Sequence, residues 1–185
     1  MCLEIEAKIA VDSLKEVEER LVELDAEFLG EQIQKDNYFD TADGALRKAD
    51  KGLRIRVQRQ NSEEKIILTC KSARQKSEFK KRRQIEFEVA DSTSAEKMLL
   101  ELGYEKVLVF EKKRRIWKLD ECEVVLDKLP LLGSFVEIEG PGEKKINRVR
   151  SSLSLADLPH VEKSYSHLMD EKLRALGSEE REVFL

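Results

Sequence analysis

Histidine and cysteine are nearly missing from this chain, and most zinc chemistry goes with them. His160 and His167 are the only histidines and have no cysteine near them in sequence, while Cys2, Cys70 and Cys122 are scattered and odd in number. Such cysteines neither pair into a disulfide framework nor cluster as metal ligands, and they point to a reducing, cytoplasmic setting. The eight glycines form no glycine-rich phosphate loop and no nucleotide fingerprint. If the protein handles phosphates, it must do so with side chains. No apolar run approaches the ~20 residues of a membrane span, and the N-terminus lacks a signal-peptide core. The net charge of −4 argues against a general nucleic-acid binder.

What the chain has is charge beside an adequate apolar fraction. Charged residues make up 39% and hydrophobic ones 41% of 185 residues, too apolar for disorder and long enough for a single domain with a real core. The charge is segregated: Lys76 to Arg83 is basic and Glu137 to Glu139 is acidic.

Alternation locates the strands. In Leu3-Glu4-Ile5-Glu6-Ala7-Lys8-Ile9 a period of two puts Glu4, Glu6 and Lys8 on one face and the apolar residues on the other. Ser13 to Glu16 reads as a capping box, followed by a helix with Leu14, Val17, Leu21 and Leu24 on one side. Strands are expected over 26–36 and on through Thr41, over 53–57 and over 65–71. The basic, poorly periodic stretch from Ser72 to Arg83 reads as a flexible loop leading to a strand at 84–89. A second helix, capped near Thr93 and ending at Gly103, has the stripe Ala95, Met98, Leu99 and Leu102. Strands follow at 107–119, 123–127 and 134–139. Helices then gather around Ile146, Val149 and Leu153 and over 165–176, with Pro159 between them.

The order β-α-β-β-β thus occurs twice, over 1–71 and 84–139, with C-terminal helices over 143–177. Two four-stranded halves suit an α+β fold built on a closed eight-stranded antiparallel β-barrel, with helices packed outside. The charged strand faces are Glu4/Glu6/Lys8, Arg54/Arg56, Lys71, Arg82/Glu86/Glu88, Lys112/Arg114, Asp127 and Glu137/Glu139. Opposite them lie apolar faces such as Leu53/Ile55/Val57, Ile85/Phe87 and Val136/Ile138. If the sheet closes with helices outside, the charges line its lumen, where they must be paired or hold ions. Mixed signs fit a structural ion-pair network and a metal-plus-polyanion site alike.

These segments together resemble the CYTH family, the triphosphate tunnel metalloenzymes. Glu4-x-Glu6-x-Lys8 matches the family's E-x-E-x-K signature. The likeness continues through Asp36 to Thr41, Leu53 to Arg56, Thr69 to Lys71, Arg83 to Glu88, Lys112 to Arg115, Leu126-Asp127, Gly133 to Glu139 and Ser164-Tyr165. Gln84 departs from it, standing where relatives often carry an acid. The resemblance implies a tunnel that binds a linear triphosphate with Mg²⁺ or Mn²⁺. By position, Glu4, Glu6, Glu137 and Glu139 would hold the ion with Asp127 assisting, and Lys8, Arg54, Arg56, Lys71, Lys112 and Arg114 would clamp phosphates, joined by Arg82 or Arg83. The face of Lys113 and Arg115 could serve instead; the resemblance favours Lys112 and Arg114, which keep the spacing to Trp117 seen in relatives. Lys71 beside Tyr38 matches the base proposed in thiamine triphosphatase relatives.

The activity expected is hydrolysis of inorganic triphosphate, thiamine triphosphate or a nucleotide. A class IV adenylyl cyclase and a non-catalytic polyphosphate-binding module are the competing readings. Glu86 and Glu88, repeat counterparts of Glu4 and Glu6, are expected on the opposite wall. An exposed C-terminal helix could support a homodimer.

Overall fold

A computed structural model of the protein describes residues 2–185; the side chain of Cys2 lies outside what is described. In chain order the elements are β1 (Cys2–Val11), α1 (Leu14–Glu23), β2 (Glu27–Thr41), α2 (Ala45–Lys48), β3 (Gly52–Gln60), β4 (Glu63–Lys71), β5 (Lys80–Glu88) and α3 (Ser92–Glu101). Then come β6 (Tyr104–Leu119), β7 (Cys122–Leu129), β8 (Gly133–Glu139), α4 (Glu143–Ser152), α5 (Tyr165–Ala175) and the two-residue β9 (Glu182–Val183).

The first eight strands close on themselves in the order β2-β3-β4-β5-β1-β8-β7-β6 and back to β2, every neighbour antiparallel. The internal repeat is visible in that order. β1 pairs with β5 and β2 with β6, while the last strand of each half, β4 or β8, pairs with the first strand of the other. Closure leaves no long free edge among these strands.

The period-two pattern decides which face helices cover. The outward residues Ile5, Ala7, Ile9, Val124, Leu126, Val136 and Ile138 pack under Val17 and Leu21 of α1 and Ile146 and Val149 of α4. A second outer cluster sets Ala95 and Leu99 of α3 on Phe39, Ile55 and Leu68. Ser13 caps α1 by accepting from the Glu16 N–H, as the capping box predicts. Among the described residues no helix is long and apolar enough to cross a membrane.

Several local expectations change. The cap of α3 is Asp91, not Thr93, because the Asp91 carboxylate accepts from the N–H groups of both Thr93 and Ser94. The buried stripe of that helix is also narrower, since Met98 and Leu102 are exposed. Ile85 and Phe87 face outward as their alternation requires, but no helix covers them and both are exposed. The stretch from Ser72 is tethered rather than free: β5 already begins at Lys80, and the Ser72 N–H donates to the Arg83 carbonyl. Gln75 bridges to Lys81, and Phe79 is buried in the first core cluster. The run of lysines and arginines conceals this anchor and the alternation beside it.

The C-terminal segment completes the wall. β6 pairs with β7 only from Lys113 to Leu119, and the N-terminal part of β6 meets β9 at Val109 and Phe110 instead. Next to this seam Tyr165, Met169 and Leu173 of α5 pack against Leu108, Phe110, Leu129 and Phe135.

Ile138 is fully buried between sheet and helices. Truncation of such a residue leaves a cavity, so Ile138→Ala is expected to lower the unfolding free energy by about 2–5 kcal/mol, read by urea denaturation.

Candidate active site

The barrel encloses a cavity of about 860 Å³. Basic side chains line it, among them Lys8, Arg54, Arg56, Lys71, Lys80, Arg82, Lys112 and Arg114 from the barrel strands. Glu4, Glu6, Glu137 and Glu139 share the lining. Each points inward because its strand alternates and its apolar neighbours are claimed by the outer helices.

Across strands β1 and β8, Lys8 lies opposite Glu137 and Glu6 opposite Glu139; β7 then sets Glu123 on the far side of Glu139. Glu4, Glu6 and Glu137 are paired along the lumen wall. Lys71 Nζ is 2.7 and 2.9 Å from the two oxygens of Glu4, and Lys80 meets Glu6. Lys8 Nζ stands 3.3 Å from Glu137, and Arg114 donates to the same carboxylate at 2.6 Å.

Two aspartates anchor the rest. Asp36 accepts from Arg56 at 2.6 and 2.8 Å and from Arg54 at 3.4 Å. Asp127 accepts from Arg114 at 2.8 and 2.6 Å and from Lys112 at 2.9 Å. These forked contacts fix the guanidinium planes that face the cavity.

The network sets the protonation states. Burial opposes ionisation of Glu6, but Lys80 and Lys8 outweigh it and hold the carboxyl down at about 2. Glu139 is pushed up to about 7 by burial together with Glu4, Glu6 and Glu123. Burial and the neighbouring Arg114 pull Lys112 down to about 7 against the attraction of Asp127. Lys71 is lowered by burial, with Glu4 acting against the shift.

The structure brings Glu4, Glu6, Lys8, Arg54, Arg56, Lys71, Arg82, Lys112, Arg114, Glu137 and Glu139 to one cavity and places Asp127 directly behind Lys112 and Arg114. Arg83, Lys113 and Arg115 face outward. Lys113 pairs with Glu31, and Arg115 pairs with Glu18 of α1.

Lys71 and Tyr38 are not neighbours, because β3 runs between their strands and no hydrogen bond joins them. Tyr38 instead stacks on Phe110, with 5.5 Å between ring centroids. Glu86 and Glu88 are not on the opposite wall either. Their strand adjoins β1, and they lie beyond its N-terminal end, opposite Thr69 and Ile67 of β4; both are exposed, but Glu86 still lines the cavity and accepts from the Thr69 hydroxyl at 3.4 Å.

Sequence reasoning missed Lys80, which it assigned to a loop, although Lys80-x-Arg82-x-Gln84-x-Glu86 alternates. It also missed Asp36 as the arginine anchor and Glu123 beside Glu139.

A hard divalent cation fits the chemistry of this wall, whose donors are carboxylate oxygens. Glu139 forms no ion pair among the described residues and has a glutamate opposite it on each side, an arrangement that is unfavourable without a cation. Among the described residues no three such side chains stand close enough to make a ready-formed ion site. Glu4, Glu6 and Glu137 are held by lysines and an arginine.

A closed antiparallel barrel with acids and bases facing one another across its lumen defines a charged tunnel. The sequence profile of the CYTH domain matches residues 3–148, and the chain belongs to that family. A Methanocaldococcus jannaschii protein named as a putative adenylate cyclase is 31% identical over 137 residues, 74% of this chain and 76% of that protein. The solved structure of the PH1819 protein from Pyrococcus horikoshii OT3 is similar with a TM-score of 0.81 and 28% identity, covering 91% of this chain and 99% of that one. A Hippeastrum protein described as a putative adenylyl cyclase with a dominant triphosphatase activity shares the fold. Its TM-score is 0.67 at 18% identity, over 96% of this chain and 97% of that one.

Two opposite pH effects follow for the metal-free protein. Glu139 has a folded pKa above its ordinary value of 4.5, so its protonation favours the folded state and stability is lost as pH rises through about 7. Glu6 has a folded pKa below 4.5, so its contribution is present above that value and lost as pH falls toward about 2. Between pH 7 and pH 5, below the range where Lys112 titrates, melting temperature is therefore expected to rise as pH falls, and to fall again below pH 4. In Glu139→Gln the rise between pH 7 and pH 5 should largely disappear.

Proposed function

We propose that this protein is a divalent-metal-dependent phosphohydrolase that cleaves a triphosphate inside its tunnel, the substrate being inorganic triphosphate, thiamine triphosphate or a nucleoside triphosphate. The observation that carries this reading is the convergence of many basic side chains on one cavity beside a carboxylate wall. A pure anion binder has little need for Glu4, Glu6, Glu137 and Glu139.

The roles follow from the pairing. Arg54 and Arg56, held by Asp36, and Lys112 and Arg114, held by Asp127, present fixed donors to phosphate oxygens. Lys8, Lys71, Lys80 and Arg82 add charge from the β1, β4 and β5 walls. Phosphate drawing Lys71 and Lys80 from Glu4 and Glu6 would free those carboxylates, which with Glu137 and Glu139 would hold Mg²⁺ or Mn²⁺. When bound, such an ion supplies neutralisation of phosphate charge and activation of water. Lys71, its ammonium made more acidic by burial, would act as base in the neutral amine form: having left Glu4 and given its proton to solvent, it takes the proton of the attacking water. Tyr38, beside Asp36 and Arg54 in the same lining, orients the chain rather than partnering Lys71. The dominant triphosphatase activity ascribed to the Hippeastrum protein of this fold agrees with hydrolysis.

The size of the cavity favours a second reading. At about 860 Å³ it lies in the range of sites for drug-sized ligands, with room beyond three phosphates for a nucleoside. With a ribose 3′-hydroxyl as nucleophile the same clamp would make cyclic AMP and pyrophosphate, an activity in keeping with the name of the Methanocaldococcus relative.

Incubation of purified protein with inorganic triphosphate, thiamine triphosphate and ATP, each with Mg²⁺ or Mn²⁺, separates these readings. Hydrolysis releases phosphate, cyclisation yields cyclic AMP, and binding without product identifies a non-catalytic module. Glu4→Gln and Glu137→Gln are each expected to lower turnover on the order of 10²-fold or more, and chelation with EDTA to abolish it. Full turnover in either variant would refute the metal assignment.

A further inference from the structure

We propose that Tyr165 is a substrate-binding residue whose hydroxyl donates a hydrogen bond to the phosphate chain. The inference rests on the reading of the lumen as a triphosphate site. It adds a contact supplied not by the barrel strands but by the helix that follows them.

Tyr165 is the first residue of α5, next to Ser164, whose side chain caps the helix by accepting from the His167 N–H. The segment leading to it is tied to the first strand. The Lys8 N–H donates to His160 Nδ1 at 3.1 Å, the Val161 N–H donates to the Lys8 carbonyl at 2.7 Å, and Lys8 Nζ donates to the Lys163 carbonyl at 3.1 Å. These bonds deliver the ring to the centre of the charged network. Lys8 Nζ lies 4.1 Å and Lys112 Nζ 4.8 Å from the ring centroid, and Phe135 meets the ring edge-on at 5.2 Å. An aromatic face attracts ammonium groups, so the ring holds two of the phosphate-facing lysines from below.

The hydroxyl end remains to be explained. Tyr165 is only 6% exposed, yet its hydroxyl has no hydrogen-bond partner among the described residues. The charged groups that bear on it are Asp127, Glu137 and Arg114. Asp127 comes near enough to bear directly on the phenol but makes no hydrogen bond of ordinary geometry with it, both its oxygens already accepting from Lys112 and Arg114, and Glu137 is engaged by Lys8 and Arg114. A buried donor without an acceptor is costly, and such groups are ordinarily satisfied. Burial with two carboxylates nearby raises the phenol above its ordinary value and keeps the proton on it, as a donor to an anion requires. Phosphate oxygens arriving between Lys8, Lys112 and Arg114 supply the missing acceptor. Ring and hydroxyl thus serve the same ligand, one through the lysines and one directly.

The test uses the full chain. Calorimetric titration with inorganic triphosphate in the absence of metal measures binding without turnover, and steady-state hydrolysis with Mg²⁺ measures KM and kcat. Tyr165→Phe keeps the ring, its packing and its lysines and removes only the donor. The expected result is a rise of about tenfold in Kd and in KM, with kcat within about twofold and an unchanged melting temperature. Tyr165→Leu, which also removes the ring, should bind more weakly still. If wild-type protein binds triphosphate and Tyr165→Phe matches its Kd within about twofold, the hydroxyl contact is overturned while the triphosphate reading stands. Wild-type protein that neither binds nor hydrolyses triphosphate overturns the reading itself, and this inference with it.

Discussion

Charge enclosed within a closed sheet governs this molecule. In a small barrel the lumen is ordinarily filled by apolar side chains, which make the core. Here most of the apolar faces turn outward, three groups of helices cover much of them, and the interior is left to ionisable groups. An unpaired charge in such a place costs several kcal/mol. Nearly every acid and base is consequently locked to another, and the pairs leave the cavity close to balance. A ligand carrying several negative charges, accompanied by a cation, can replace these pairs without creating an isolated buried charge.

The two halves share a topology and not a charge map. On one side the anchoring carboxylate, Asp36, is on β2 and the bases it holds are on β3. On the other, Asp127 is on β7 and its bases are on β6. Since β2 corresponds to β6 and β3 to β7, the anchoring and clamping strands are exchanged between the halves. The first strands have diverged as well. Glu4 and Glu6 lie within the ion-pair network, whereas Glu86 and Glu88 fall at the open end beyond β1. Repetition built a symmetric container around an asymmetric site.

Much of this was legible in the sequence, for identifiable reasons. A strand buried on one face by helices must alternate, so Glu4/Glu6/Lys8, Arg54/Arg56 and Glu137/Glu139 could be assigned to a shared face from their spacing. Barrel closure could be read from the repeated order of elements. Alternation says nothing about which strands adjoin. The placing of Glu86 and Glu88 across the lumen failed on that point, and alternation could not show that β3 stands between the strands of Tyr38 and Lys71, which line the same cavity. Lys80 was hidden because every residue from Lys80 to Arg83 is basic and a uniform run carries no period. The cap at Asp91 was overlooked since two further cap-forming residues follow it directly.

The exchange of end strands between the halves has a consequence for how the protein folds. β1 leaves the ribosome first, but its partner β8 is the last strand of the barrel, so the contact of Glu6 with Glu139 joins positions from opposite ends of the barrel sequence. Loop closure of that length brings no reward until it is complete. The carboxylate wall is consequently absent from any partly made chain and forms in the same event that seals the cylinder. Lys112 and Arg114 are made before Asp127 and Glu137, the acids that hold them, and so stay unneutralised until β7 and β8 follow, whereas Arg56, Lys71 and Lys80 find Asp36, Glu4 and Glu6 already made.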